Sequence, residues 1–206
     1  TILCSVNVAP LSLQTDPSAD QRALLRDVSW KQYELFLEAR GESDSPRLTY
    51  LGGRLELMTP SIEHEMRGRM IGRMLSEWAI ETDTALTACG SWTLRKEHSE
   101  RGLEPDESFF LGSRRKKRPD LASEVVWTHG GIDTLEVSAG LGVPEVWQWR
   151  KSGIEVFVLR EGSYELRKRS VLLRDLDLEL LMKHLDADNQ HQALLGYRRA
   201  LRKRKS

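Results

Sequence analysis

LEPDESFF at residues 103–110 and PDLASEVV at residues 119–126 are the two stretches that decide the fold of this chain. Each contains a short apolar run with the length and composition of a β-strand. A short, polar and basic segment, GSRRKKRP at residues 112–119, joins them. The simplest arrangement pairs the two strands side by side. The sequence therefore predicts that the carboxylates of Asp106 and Glu124 lie at the same end of a β-sheet.

These two acids point to a metal site. Two carboxylates with the backbone carbonyl of Val125 form a hard-oxygen ligand set that suits Mg²⁺ or Mn²⁺, the ions used to hydrolyse phosphodiesters. The alternative is that Asp106 merely follows Pro105 at a strand start and that Glu124 lies on a solvated face. Glu124 stands in an apolar stretch, where an unpaired carboxylate costs free energy. The residues alone leave both interpretations open.

Length and composition indicate one folded domain without a strong overall charge. A chain of 206 residues can form a single core, and its 31 basic residues balance 31 acidic ones. Attraction for a polyanion must then come from local patches, such as the basic run at 114–118. A second basic run at 198–205 is more typical of a solvated tail. Two cysteines, Cys4 and Cys89, lack zinc-ligand spacing, and no segment reaches membrane-spanning length, which predicts a soluble, cytoplasmic protein with no membrane partner.

The pattern of apolar residues predicts alternating helices and strands. Helices are expected at 30–40, 61–81, 132–141, 176–185 and 192–201. Strands are expected at 47–51, 54–58, 85–97, 103–111, 120–127, 145–149, 154–159 and 164–169, with Gly52-Gly53 as a hairpin turn. This order is typical of an α/β fold with a central mixed β-sheet flanked by helices. We expect one domain at 29–187, an extended arm at 1–28, and a basic helix or tail at 188–206.

A set of ordered motifs resembles the Uma-type endonuclease family of the PD-(D/E)XK superfamily. The motifs are GRLELMTP at 53–60 with His64, Pro105-Asp106, PDL at 119–121 with Glu124-Val125, and GVPEVW at 142–147. The resemblance covers roughly residues 28–165 and implies a restriction endonuclease-like core with Asp106 and Glu124 as metal ligands. It also implies supporting roles for Glu56 and His64. From spacing alone, Glu56 is an ordinary strand acid and His64 a surface or capping residue.

The chain departs from this family pattern where a lysine is expected. Two residues after the second acid, the superfamily position for lysine, stands Val126. In Uma-type relatives the lysine lies in the next helix, where alignment from GVP at 142–144 gives Thr134, with Ser138 in place of a tyrosine. Thr134 carries no charge, so the stabilisation that an ammonium gives the transition state is missing or comes from elsewhere. The basic residues on neighbouring predicted strands are Arg95, Lys96 and Lys151.

Three functions are compatible with these observations. The first is a metal-dependent endonuclease acting on DNA, with Glu56 or His64 assisting and with two copies pairing as a homodimer to cut both strands. The second is a nuclease-fold protein that has lost turnover and keeps a nucleic-acid-binding or structural role, which Thr134 and Ser138 favour. The third is a partner-binding protein that uses the methionine row of the long helix, although such rows usually fill a core. The methionines are Met66, Met70 and Met74.

Overall fold

Two β-sheets organise the part of the chain that the computed structural model describes, residues 19–112, 116–127, 131–186 and 188–204. The strands are β1 Gln21–Leu25, β2 Arg47–Leu51, β3 Arg54–Thr59, β4 Leu86–Ala88, β5 Leu94–Lys96, β6 Arg101–Leu103, β7 Glu107–Leu111, β8 Leu121–Val125, β9 Glu145–Arg150, β10 Gly153–Arg160 and β11 Ser163–Arg167. The α-helices are α1 Trp30–Arg40, α2 Ile62–Thr82, α3 Thr134–Leu141, α4 Leu178–Lys183 and α5 Gln190–Lys203.

The larger sheet is mixed, with strand order β11-β10-β9-β8-β7-β4. Its parallel pair is β8 with β9, and α3 forms the crossover that a parallel connection requires. The smaller sheet is antiparallel, with strand order β1-β3-β2-β6-β5. The predicted α/β fold with a mixed sheet flanked by helices is confirmed. The predicted hairpin at Gly52-Gly53 forms the centre of the second sheet.

Helix α2 packs its apolar face against the mixed sheet. Ser61 caps the helix by accepting a hydrogen bond from the His64 amide at 3.2 Å, which fixes where the first turn begins. Met70 and Met74 are fully buried in the core, and Met66 is partly buried against it. The methionine row therefore fills the core and is not available to a partner.

Helix α5 lies on the outer side of α2 and is tied to it by ion pairs. Arg198 donates to both carboxylate oxygens of Glu77, at 2.6 and 2.7 Å, and Arg202 pairs with Glu81 at 2.7 Å. These two arginine side chains contact α2 and are still 41% and 65% exposed. None of the five helices described is both long and apolar enough to cross a membrane.

Two of the predicted strands were wrong because each divides between the two sheets. The run 85–97 gives β4 in the mixed sheet and β5 in the antiparallel sheet, with Gly90 at a φ of 67° between them. The run 103–111 likewise gives β6 and β7 on either side of Pro105, which has no amide hydrogen for a ladder bond. Asp106 consequently stands just before β7, outside the strand.

Part of the predicted N-terminal arm is ordered as an edge strand. β1 pairs along its whole length with β3, from Gln21 opposite Thr59 to Leu25 opposite Leu55. Four of its five residues are exposed, so it has no buried face that a hydrophobic period could reveal. Residues 1–18 with Cys4, and Arg114, Arg115 and Lys205 of the two basic runs, lie outside the described residues.

Candidate functional site

The ends of β7 and β8 bring Asp106 and Glu124 together. These strands are antiparallel, with Glu107 opposite Ser123, and one further step of this register places Asp106 opposite Glu124. Residues directly opposite each other in an antiparallel pair project to the same face. The Val125 amide also donates to the Asp106 carboxylate at 2.6 Å, which ties Asp106 to the end of β8. Both acids are buried, with 4% and 8% of their surface exposed.

The carboxylate of Asp106 is surrounded by cationic and amide donors. His64 Nε2 lies 2.9 and 3.0 Å from its two oxygens, and Arg47 forms an ion pair with Oδ1. Burial by itself would raise the pKa of Asp106. The hydrogen bond and charge of His64, together with Arg47, outweigh burial and lower that pKa below its ordinary value. Asp106 is therefore ionised.

Glu124 has the opposite environment. Its Oε1 is buried and has no hydrogen-bond partner among the described residues. Burial, followed by the negative charge of Asp106, raises the pKa of Glu124 well above its ordinary value. A buried carboxylate oxygen without a partner destabilises the protein and leaves a strong ligand atom unused.

His64 is a cation held between two carboxylates. Its Nδ1 lies 2.9 Å from Asp20 Oδ2, and its Nε2 contacts Asp106. Burial alone would lower the pKa of His64, but the hydrogen bonds to Asp106 and Asp20 raise it to about 9. This pKa favours the protonated form of His64 at neutral pH, in which Nε2 donates a hydrogen bond to Asp106.

Glu56 holds the segment just before α3 in place through a hydrogen bond. It is 4% exposed, accepts a hydrogen bond from the Ile132 amide at 2.7 Å, and forms an ion pair with Arg22. Gly131 passes so close to this carboxylate, at a φ of 95°, that a Cβ there would overlap it. Both carboxylate oxygens of Glu56 thus have partners within the fold.

The site opens into a cavity of about 280 Å³ at the N-terminal end of α3. Four of the predicted site residues line it, namely Glu56, His64, Glu124 and Val125, and so do Val126 and Thr134, the two positions at which a lysine is expected. Asp106 does not line the cavity itself. It contacts His64 and Arg47, and both of these residues line the cavity.

The cations proposed from the sequence do not line this cavity, although Lys151 lines a second one together with His64 and Val125. Arg95 and Lys96 line a separate groove of about 710 Å³ that reaches Leu141 at the other end of α3. Lys151 Nζ lies 5.9 Å from the ring centroid of Trp127. Arg150, Arg22 and Arg47 are the basic residues of the acid-lined cavity besides His64. Sequence reasoning missed all three, since only the strand pairings bring them there.

The donor set fits a hard divalent cation. Glu124 lies close enough to Asp106 for the charge of Asp106 to raise the pKa of Glu124, and two carboxylates with a backbone carbonyl are oxygen ligands of the kind that Mg²⁺ and Mn²⁺ bind. No group of three or more His, Cys, Asp and Glu side chains is arranged for a metal within the described ranges. The protein would therefore supply the two carboxylates, and water would complete the ligand shell.

Comparison with known proteins gives a family and a similar solved structure. A family described as Uma2, putative restriction endonuclease, matches residues 30–189. No curated protein matches the chain. Among solved structures, the crystal structure of a putative nuclease belonging to DUF820 from Anabaena variabilis is similar, with a TM-score of 0.49 and 13% identity. That similarity covers 78% of this chain and 98% of the other.

Proposed function

The chain belongs to the Uma2 family of putative restriction endonucleases, and from this premise we propose that it is a metal-dependent endonuclease that hydrolyses DNA phosphodiester bonds. The observation that carries the proposal is the buried Oε1 of Glu124, which has no hydrogen-bond partner in the described part of the chain and lies opposite the ionised Asp106. An apolar or hydrogen-bonded residue would stabilise the fold better at this position. A carboxylate retained there is explained by a cation that it binds.

The metal ligands in this proposal are Asp106, Glu124 and the carbonyl of Val125. When bound there, Mg²⁺ or Mn²⁺ would neutralise charge on the phosphate and lower the pKa of a coordinated water. His64 and Arg47 keep Asp106 ionised and oriented toward β8. Glu56 has a positioning role, since it fixes the entry to α3 and with it one wall of the cavity.

The proposed reaction is hydrolysis at phosphorus. Water attacks the phosphorus atom, one phosphorus–oxygen ester bond breaks, and the leaving oxygen takes up a proton. The cavity holds the scissile phosphate beside Glu124, and the basic groove at the other end of α3 contacts flanking phosphates through Lys96, Lys117 and Arg118. Contacts with DNA phosphates of this kind give affinity without sequence selectivity.

A second candidate is a nuclease-fold protein with impaired turnover. Thr134 lines the cavity where the family carries a lysine, and a hydroxyl cannot supply that positive charge. Ser138 is fully buried and its hydroxyl has no partner among the described residues. Such a protein would bind nucleic acid and would not cut it.

Plasmid nicking separates the two candidates. Purified protein is incubated with supercoiled DNA and either Mg²⁺ or Mn²⁺, and the endonuclease proposal predicts nicked circles that EDTA prevents. We expect Asp106→Ala to lower the rate by at least about 100-fold, the usual cost of losing a group that stabilises the transition state. Asp44→Ala, at an exposed aspartate, serves as the matched control.

Each result has a definite meaning. Nicking by the wild type that Asp106→Ala abolishes supports the endonuclease. Nicking that survives Asp106→Ala would come from another site or a contaminant and would overturn the assignment. A wild type that binds DNA and leaves it intact with both ions would favour the impaired protein.

A further inference from the structure

We propose that Arg150 supplies the positive charge at the scissile phosphate that the missing lysine would otherwise supply. The inference rests on the proposed function and concerns the same cavity. Three observations support it: the strand register, the hydrogen bonds that hold the guanidinium, and the ion pairs that the other arginines of the cavity already make.

The register of β8 and β9 places Arg150 beside the superfamily position for lysine. In this parallel pair Glu124 lies next to Gln148 and Val125 next to Trp149. The Val126 amide donates to the Trp149 carbonyl at 2.9 Å, which continues the ladder by one step and brings Val126 level with Arg150. Side chains two residues apart on a strand share a face, so Arg150 projects from the same face as Gln148 and Glu124.

Two hydrogen bonds hold the guanidinium of Arg150 and leave its third nitrogen, Nη1, for a ligand. Its Nε donates to Glu155 at 2.8 Å, and its Nη2 donates to Gln148 Oε1 at 2.6 Å. Its Nη1 makes no hydrogen bond with the described residues. The side chain is 32% exposed and lines the cavity together with Glu124. Two partners therefore orient the group, and a nitrogen stays available for a phosphate oxygen.

The other arginines of the cavity are bound to the acids of the site itself. Arg22 pairs with Glu56, and Arg47 pairs with Asp106 and with Glu65. Moving either arginine toward a substrate would leave a buried carboxylate without its partner, at a high cost in free energy. Arg150 can contact a phosphate without disturbing the carboxylates of Asp106, Glu124 or Glu56.

The chemistry requires such a cation. Negative charge on the phosphate oxygens increases as water attacks phosphorus, and a fixed guanidinium stabilises that charge without reorganisation. Thr134 can offer only a neutral hydroxyl. Arg150 thus approaches the phosphate from the end of β9, in the same cavity that Thr134 lines.

The experiment compares Arg150→Leu with Arg167→Leu. Arg167 is a matched control because it lies in the same sheet and pairs with a strand glutamate, Glu165, away from the cavity. We expect Arg150→Leu to lower the plasmid nicking rate by about 100-fold or more, and Arg167→Leu to leave it unchanged. Adding Thr134→Lys to Arg150→Leu should raise the nicking rate at least about tenfold above that of Arg150→Leu alone, because the lysine places an ammonium in the same cavity.

A second measurement does not depend on turnover. A fluorescein-labelled single-stranded oligonucleotide is titrated in EDTA at several salt concentrations. We expect Arg150→Leu to bind less tightly and to show a salt slope less steep by about 0.7, the change expected when one phosphate fewer of a single strand is neutralised. Arg150→Lys should keep the salt slope, because the charge remains, and thermal unfolding should show all variants folded.

The outcomes separate this inference from the endonuclease proposal. If Arg150→Leu nicks like the wild type, the role of Arg150 is overturned and the endonuclease stands. If no variant nicks DNA, the endonuclease proposal fails and the oligonucleotide titration alone decides whether Arg150 binds a phosphate. An unchanged salt slope in Arg150→Leu would then overturn that interaction.

Discussion

Glu124 is the buried acid of the site whose pKa is raised. Burial and the charge of Asp106 raise its pKa above the ordinary value of 4.5, so the folded chain takes up a proton that the unfolded chain releases. A group with a raised pKa stabilises the folded state at low pH and loses this contribution as pH rises from about its ordinary pKa toward the raised one. The stability of the metal-free protein should therefore decline above pH 4.5 on account of Glu124.

Glu124→Gln should remove this decline. In EDTA at pH 8 we expect the variant to exceed the wild type in free energy of unfolding by about 1–2 kcal/mol, because a neutral amide has no charge to desolvate. Urea denaturation at pH 5 and pH 8 measures the difference, which should widen with pH. Glu165→Gln, at an exposed strand position, should follow the wild type at both values. Equal stability of Glu124→Gln and the wild type throughout this range would contradict the buried charge.

At the scale of single residues, the sequence singled out Asp106 and Glu124 and did not indicate most of the groups that surround them. Asp106 and Glu124 could be chosen because Glu124 stands within a short apolar run and Asp106 stands just before another. Asp20 and Arg150 carry no such local signal, since Asp20 precedes a mostly exposed strand and Arg150 ends a buried one. Their roles follow from pairing partners far away in the chain, which one sequence does not reveal.

At the scale of elements, Glu145 shows that an acid in a family motif can be structural. It stands at the start of β9, is fully buried, and accepts hydrogen bonds from Trp147 Nε1 at 2.7 Å and Ser170 Oγ at 2.6 Å. The amides of Val171 and Leu172 donate to its other oxygen at 2.9 and 3.3 Å. Glu145 thus anchors the segment after β11 to the mixed sheet.

Glu145→Gln should destabilise the protein without changing the site. The amide group would present a donor where one of the two acceptor oxygens now receives donors, which leaves buried amides or a hydroxyl unpaired. We expect a loss of about 1–3 kcal/mol in the free energy of unfolding, measured by urea denaturation. Glu155 lies against Arg150 and is unsuitable as a control, so Glu161→Gln at the exposed β10–β11 turn is used. A stability equal to that of the wild type would show that the hydrogen bonds of Glu145 have little net effect.

Helices and hairpins were predictable, and the distribution of short strands between sheets was not. Ser29 and Ser61 cap α1 and α2, and Gly52-Gly53 adopts positive φ values, so local residue chemistry determines these boundaries. β4 and β5 have three residues each and join different sheets. Such short strands are determined by tertiary packing, which overrides local propensity.

At the scale of the whole molecule, charge is balanced overall and concentrated locally. The chain carries no net charge, yet one groove collects Arg95, Lys96 and a basic segment at 116–118. Lys116 pairs with Asp120 at 2.6 Å, and Asp120 is the acid that lines this groove. Affinity for nucleic acid should therefore depend on this surface and not on the overall field.

Reversing two of these charges tests the groove. We expect Lys117→Glu together with Arg118→Glu to weaken DNA binding and to reduce the salt slope by about two, one for each phosphate that is no longer neutralised. The control reverses Lys168 and Arg169, a cationic pair on a different part of the surface. Fluorescence anisotropy between about 50 and 200 mM salt, a range in which binding to phosphates weakens strongly, gives both slopes. Equal slopes for the two double variants would remove the groove from the DNA-binding surface.

The edge strand β1 has a practical consequence for dissecting this protein. Asp20 just before it and Arg22 within it reach His64 and Glu56, while the stretch shared with the family starts only at residue 30. A fragment that begins at residue 30 would lack Asp20 and Arg22, the partners of His64 and Glu56. If such a fragment were inactive, the cause would be the lost ion pairs of His64 and Glu56. Deletion mapping of this protein should therefore keep every residue from 19 onward.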